Sequence, residues 1–276
     1  MNRGNIALFH QVFDETMAKE KFVKRSRIYW HINYDRAWYV AVWLCSEGPG
    51  QAFDIHFNIG GLMHLDRDTF MSMADHSAYS LRRQFNDLAE PYFRLWVAPD
   101  DYPVALDLYS KRASGLFSSI ESLFDVYLLD KKLKDWDSIP LFVGEKWIDM
   151  LIYLNMTKEA QNVVYLMRQW LGSLIQERYA DEKRIQGKLA EFNKYSEKIK
   201  KTISRTIISY QKSLSEFTNQ DIQFGRLQRQ IDTMEQIITS DELSHRQREL
   251  EEIVNINREN LKRSFSVAEI ETMGSK

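Results

Sequence analysis

Histidine and aromatic side chains that alternate along three strand-like segments are the residues of this sequence best suited to binding chemistry. Alternation with a period of two puts successive side chains on opposite faces of a sheet. We take Ile28, Val40 and Phe53 to face the core. The opposite face then carries Arg27, Tyr29, His31, Tyr39, Trp43, Asp54, His56 and Asn58. Such a face suits a protein partner or a small anionic ligand. The alternative is that helices from residues 104–175 cover this face, or that it is only a solvated sheet face.

Residue types that catalyse reactions or bind metal ions occur in no recognised arrangement. Nitrogen and oxygen ligands would come from His64, Asp66, Asp68 and His76. Their spacing matches no zinc signature, and the one cysteine, Cys45, lies in an apolar run where a thiol is inert. The glycine-containing motifs of serine hydrolases, nucleotide hydrolases and dinucleotide-binding enzymes do not occur. We therefore predict no metal, no cofactor and no catalysis. An enzyme of unrecognised type that uses His31 and His56 is the alternative.

A basic tract is the second feature that suggests binding. Residues 183–212 contain nine basic and two acidic residues, a net charge of +7, whereas residues 213–276 contain eight basic and twelve acidic residues, a net charge of −4. One stripe at helical spacing in this tract consists of Lys194, Lys198, Lys201 and Arg205. The stripe suits either a phosphate backbone or an acidic helix in an antiparallel hairpin.

The acidic residues available for such a hairpin are Glu249, Glu251, Glu252 and Glu259. We favour this pairing, because the whole chain carries a net charge of −2 and creates no general attraction to nucleic acid. The sequence therefore predicts no binding to mixed-sequence DNA or RNA at physiological salt. A nucleic-acid-binding accessory protein is the alternative function.

Hydrophobic periodicity predicts the elements that position these residues. An amphipathic helix covers residues 5–20. Strands follow at Arg27–Asn33, Ala37–Cys45, Phe53–Ile59 and Tyr92–Val97. The spacing becomes helical from about residue 104. The predicted class is α+β: residues 1–155 form a domain of an N-terminal helix and an antiparallel meander packed with helices, and residues 156–276 form an all-α coiled coil or bundle.

A narrow apolar stripe runs through the last third of the chain. Members such as Ile203 and Ile207 follow steps of three and four residues, as in a coiled-coil seam. The stripe predicts a helix over residues 183–217, about 50 Å long. Because one hairpin covers such a rod poorly, we expect residues 183–265 to form a homo-oligomer. An ordinary helical bundle is the alternative.

Composition and charge limit the class of protein. Apolar residues make up 44% of the 276 residues and charged residues 28%, which excludes intrinsic disorder. The most apolar stretch, residues 139–156, contains Glu145, Lys146 and Asp149 and is not a membrane span. The apolar patch near the N-terminus is too short for a signal peptide. A single cysteine suits a reducing compartment. We expect a soluble cytoplasmic protein with no membrane partner.

The N-terminal part resembles an uncharacterised bacterial domain family of unknown function. The resembling segments are Phe22–Trp30, Trp38–Trp43 and Phe53–Gly60, within a match over residues 5–155. The resemblance implies a helix, a basic aromatic turn, antiparallel strands and then helices, with glycine at the positions of Lys21 and Ser26. It supplies no catalytic residues. With the absence of catalytic motifs, it suggests a non-enzymatic protein-interaction protein in bacterial toxin neutralisation or phage defence.

Overall fold

The chain divides into two compact units. The computed structural model describes residues 3–26, 28–47, 52–65, 120–134 and 139–274. The first unit joins Met1–Asp135 to Gln247–Lys276, and the second is Trp136–Arg246. This division differs from the predicted boundary at residue 155 in two ways: residues 136–155 belong to the second unit, and the last 30 residues group with the N-terminal part. The predicted residues that lie outside the described ranges are Arg27, Asp66, Asp68, His76 and the strand Tyr92–Val97.

An antiparallel meander forms the centre of the first unit. Helix α1, Arg3–Lys19, precedes it. The described sheet has the spatial order β1-β2-β3-β4, with strands Val23–Arg25, Ile28–Asn33, Trp38–Glu47 and Ala52–Gly61. A 3₁₀ turn at Leu62–His64 and helix α2, Leu123–Lys134, follow. The predicted α+β class, with an N-terminal helix and a meander, is confirmed.

The strand register groups the sheet residues differently from our expectation. The four-residue connection 34–37 places each even-numbered residue of β2 opposite an odd-numbered residue of β3. Residues directly opposite each other in an antiparallel pair share a face. Tyr39 therefore shares a face with Ile32, and His31 shares the other face with Val40. The prediction that Tyr29, His31 and Tyr39 lie on one face is wrong, because alternation within a strand does not fix the register between strands.

Two long antiparallel helices dominate the second unit. Its helices are α3 (Leu141–Tyr153), α4 (Thr157–Phe192), α5 (Glu197–Thr202) and α6 (Ser204–Thr239). Arg168 pairs with Asp232 at 2.7 Å, whereas Arg178, further along α4, pairs with the earlier Asp221 at 2.6 Å. The descending partner numbers show that α4 and α6 run antiparallel. We call α4, α6 and their connection, residues 193–203, the hairpin.

The hairpin overturns two expectations about the basic tract. The predicted helix over 183–217 is not continuous, because α4 ends at Phe192 and α5 begins only at Glu197. The tract therefore folds back on itself, with Phe192 stacked on Tyr210 at a centroid distance of 6.0 Å. The acidic residues proposed as its hairpin partner lie beyond α6, so the helix that pairs with α4 is α6 and not the acidic segment.

The C-terminal helices pack with the N-terminal sheet. They are α7, Glu242–Ser264, and α8, Val267–Gly274, and the division between the units falls within α7. The Asn257 side-chain amide donates to the carbonyl oxygen of Leu62 at 2.8 Å. The Arg258 guanidinium donates to the carbonyl oxygen of Tyr34 at 2.7 Å. These contacts explain why residues far apart in sequence form one unit.

Helices contact both faces of the meander at β1 and β2. Tyr29 contacts Phe13 of α1, with ring centroids 5.0 Å apart. By register Arg25 lies on the opposite face, where it pairs with Glu269 of α8 and lies over the ring of Phe265. Tyr29 and Tyr39, which we expected on an exposed face, are therefore buried. The helices that contact the sheet here are α1 and α8, whereas we expected any cover to come from residues 104–175.

Two residues with left-handed backbone conformation flank β1. Lys21 has φ 63° and Ser26 has φ 57°. The Phe22 N–H bonds the Met17 carbonyl at 3.0 Å and the Lys21 N–H bonds the Ala18 carbonyl at 3.1 Å. This is the Schellman pattern at a helix end, in which the position of Lys21 favours glycine. Both positions are those where the resemblance led us to expect glycine.

Lys21→Gly is expected to increase the free energy of unfolding by about 0.5–1 kcal/mol, because glycine has no Cβ to oppose a positive φ. Urea denaturation of the full chain measures the change. Lys21→Ala removes the same amine but keeps the Cβ, so it should give no increase. Equal destabilisation by both substitutions would show instead that the Lys21 side chain stabilises the fold.

Candidate functional site

Tyr29, from the predicted binding face, is a buried structural residue. Its hydroxyl donates a hydrogen bond to Asp14 of α1, which also pairs with Lys24 at 2.7 Å. Burial and the Asp14 carboxylate raise the pKa of Tyr29 far above its usual value. Partial burial alone would raise the pKa of Asp14, but the hydrogen bonds from Lys24 and Tyr29 prevail and lower it. The group fastens α1 to the sheet.

Tyr39 and His31 are also packed inside the first unit. Tyr39 is 2% exposed, and its ring centroid lies 6.0 Å from that of Trp30. His31 is half-buried, and its ring lies 5.5 Å from the rings of both Phe22 and Trp38. Because the two residues point to opposite faces, the structure does not bring them together as one site.

The remaining predicted face residues are described by their backbone only. The register pairs Trp43 with His56, Cys45 with Asp54 and Ala41 with Asn58. Trp43 also lies opposite Ile28, so both side chains belong to the same face of the sheet. We had assigned Ile28 to the face that packs on the core. The register therefore places Trp43, His56, Asp54 and Asn58 on one face of the sheet, and the prediction that these residues bind a partner stays a prediction.

The basic tract, in contrast, lies at the exposed end of the hairpin. The residues from 193 to 205, which we call the basic end, contain five Lys and Arg and one Glu, a net charge of +4. Lys194 lies in the turn after α4, Lys198 and Lys201 lie in α5, and Arg205 lies in α6. The four predicted residues thus share one end of the hairpin, although they do not form a stripe on one continuous helix.

Part of this charge is neutralised locally and part is not. Lys200 pairs with Glu197 at 2.9 Å within α5, where the acid at the N-terminus and the base at the C-terminus also suit the helix dipole. Lys198, Lys201 and Arg205 are exposed and make no ion pair with any residue that the structure describes. These cations are available to an anionic partner.

Beside these cations runs an apolar seam that the hairpin leaves uncovered. No residue from 186 to 216 is buried. We call this part the distal half, and its half-exposed apolar residues form the distal seam: Leu189, Phe192, Ile203, Ile207, Tyr210 and Leu214. Two further isoleucines, Ile199 and Ile208, are 47% and 63% exposed. A two-helix pair without a third element cannot bury its seam.

The rest of the hairpin, which we call the proximal half, is packed differently. Helix α3 contacts both arms, and the absence of a side chain at Gly144 lets α3 approach Met167 of α4 closely. Buried residues accumulate here, including Val163 and Leu171 of α4 and Ile231 of α6. The buried residues of the seam are therefore concentrated in the half of the hairpin that α3 contacts.

Arg178 lies where the packed and uncovered parts meet, and the sequence analysis did not identify it. Its buried guanidinium pairs with Glu182 on the same helix and with Asp221 across the hairpin at 2.6 Å. It also lies 4.9 Å from the ring centroid of Phe217. The spacing of four residues to Glu182 is a sequence signal for helical pairing, but the partner 43 residues away carries no such signal.

Other chemistry is sparse in the described ranges. No three His, Cys, Asp or Glu residues there lie together as a metal site requires. Of the residues named as metal-ligand candidates, only His64 is described, in the 3₁₀ turn. None of the described helices combines the length and apolar character needed to cross a bilayer. No protein family, curated protein or solved structure matches the chain.

Tyr29→Phe is expected to lower the free energy of unfolding by about 1–2 kcal/mol, because Asp14 loses a buried hydrogen-bond donor. Because the pKa of Asp14 is lowered in the folded state, its carboxylate contributes fully to the free energy of unfolding above the unfolded-state pKa, near 4. This contribution is lost as the pH falls through the folded-state pKa. The variant should therefore lose less stability than the wild type between about pH 4 and pH 2.

Urea denaturation at each pH measures this difference. Tyr34→Phe is the matched control, because the buried Tyr34 hydroxyl has no hydrogen-bond partner among the described residues. An identical acid dependence for the wild type and Tyr29→Phe would contradict the coupling to Asp14.

Ile207→Ala and Ile231→Ala test whether the distal seam is uncovered. Both isoleucines lie in α6, but Ile231 is 0% exposed and Ile207 is half-exposed. Ile231→Ala should cost about 2–5 kcal/mol, as for a packed core. Ile207→Ala should cost less than about 1 kcal/mol. Equilibrium denaturation of the full chain decides, and comparable losses would show that the seam is already covered.

Proposed function

We propose that the chain is a non-enzymatic binding protein that uses the distal half of its hairpin to bind a protein partner. The observation that carries this proposal is the absence of any buried residue from 186 to 216, despite the apolar seam that runs through this stretch. Burial of apolar area is the main favourable term in protein association. A partner that covers the distal seam gains this term without disturbing the packed proximal half.

The proposal moves the partner-binding role from the sheet to the hairpin. Tyr29 and Tyr39, which the sequence assigned to a binding face, are buried. That the protein is not an enzyme rests on the sequence, in which no recognised catalytic motif occurs. A catalytic pair of His31 and His56 gains no support, because the His31 ring contacts Phe22 and Trp38.

A cytoplasmic role in bacterial toxin neutralisation or phage defence is part of this proposal. It rests on the resemblance of residues 5–155 and on the single cysteine. Self-association through residues 183–265 would use the same seam in a different way. Sedimentation equilibrium of the full chain distinguishes a homo-oligomer from a monomer that binds another protein.

Nucleic-acid binding is a second candidate function. Lys198, Lys201 and Arg205 favour it, because they are exposed and their predicted neutralising helix is not the partner of α4. The apolar residues beside them favour a protein, because a phosphate backbone offers nothing that covers an isoleucine. A DNA probe in the next experiment separates these candidates.

Affinity purification of the full chain from its native cells tests the proposed function. Ile203→Asp with Ile207→Asp should abolish capture of a specific protein, because charges in the distal seam oppose burial. Ile222→Asp is the matched control: this isoleucine is 54% exposed on α6 but lies outside the distal half. A set of captured proteins that is unchanged by the seam substitutions would contradict the proposal. Circular dichroism verifies that each variant is folded.

A further inference from the structure

We infer that the partner segment is an amphipathic helix with an acidic polar face, which lies along the distal seam as a third helix; this inference rests on the proposed function. The proximal half shows how such a complex would be built, because there α3 packs against both arms of the hairpin. Helix α3 contributes Trp147, Ile148 and Leu151, all nearly completely buried. The distal half has the same two arms but no third helix among the described residues.

The length of the distal seam fits a short helix. The α6 part of the distal half, residues 204–216, spans about 20 Å at 1.5 Å per residue. Helix α3 has 13 residues and therefore the same length. A partner helix of three to four turns, with apolar residues at i, i+3, i+4 and i+7, would match it, as in other helix-in-groove complexes.

The charge beside the distal seam selects the polar face of that helix. Residues 183–212 carry a net charge of +7, and Lys198, Lys201 and Arg205 have no ion-pair partner among the described residues. Acidic side chains that flank the apolar face of a partner would meet these cations and speed its association. A helix with a basic face would be repelled.

A second copy of this chain fits less well than an acidic partner. Two distal halves placed together would oppose two net charges of +4. Among the described helices, α8 is the most acidic, with two Glu and no basic residue, and it is already packed on the sheet. The chain therefore lacks a described helix with the acidic character that this surface selects.

Peptide binding to the full chain tests the inference. The probe is a fluorescent peptide of about 20 residues, long enough for five helical turns, in which Leu occupies one face and Glu the other. Its controls are the same peptide with Lys for Glu, the acidic peptide with the Leu pattern scrambled, and a duplex DNA. Fluorescence anisotropy at increasing salt gives each affinity.

We expect micromolar binding of the acidic peptide and at least about tenfold weaker binding of both control peptides. Ile207→Ser should weaken the binding by about tenfold or more. Lys198→Glu combined with Lys201→Glu and Arg205→Glu should do the same, whereas Ile222→Ser should not. Rising salt should weaken binding of the acidic peptide to the wild type and should have little effect on its binding to the charge-reversed variant.

Three results would overturn the inference. Equal affinity for the acidic and basic peptides, or no binding of either peptide, would reject an acidic helix as the partner segment. The proposed function would still stand if capture of a protein from cells depends on Ile207. If the duplex DNA binds with a steep salt dependence and this binding requires Lys198, Lys201 and Arg205, the basic end would be assigned to nucleic acid. A dimer of the wild type in sedimentation equilibrium that Ile207→Ser converts to monomer would assign the seam to a second copy.

Discussion

Two antiparallel helices cannot bury their shared apolar seam without a third element, and the second unit is organised by this constraint. Where α3 supplies that element, α4 and α6 contain fully buried residues such as Val163 and Ile231. Where it is absent, from residue 186 to residue 216, none is buried. Arg178 lies close to this transition, and its ion pair with Asp221 fixes the alignment of the arms beside the last buried apolar residues, Ile185 and Phe217.

The same requirement for cover explains the first unit. Strand β3 is buried on both of its faces, with Tyr39 on one and Val40 on the other. The chain supplies α1 on one face of the meander and, from the far end of the sequence, α8 on the other. Asn257 and Arg258 of α7 hold this return by bonding backbone carbonyl groups near the β2–β3 connection. The grouping of residues 247–276 with the N-terminal sheet is therefore a consequence of the apolar pattern of the strands.

Local patterns predicted the elements well, and long-range pairing only in part. The first three predicted strands, the N-terminal helix and the basic tract could be located because periodicity and charge are local properties. The face of the sheet on which Tyr39 lies could not be predicted, because the four-residue connection between β2 and β3 decides their register. The helix that pairs with α4 could not be predicted either, because the chain reverses at residues 193–196 and this reversal depends on a few turn residues. Exposure of Ile207 depends on the absence of a neighbour, which no local pattern records.

The combination of cations and uncovered isoleucines at one end of the hairpin has a physical consequence for the free protein. Apolar residues without cover favour self-association, while like charges beside them oppose it. Lys198, Lys201 and Arg205 would therefore oppose the approach of the same surface on another copy, and the proposal is that they keep Ile199 and Ile208 available. With an oppositely charged partner the electrostatic energy becomes attractive, so the charge that would oppose association with a second copy is the charge that would favour an acidic helix.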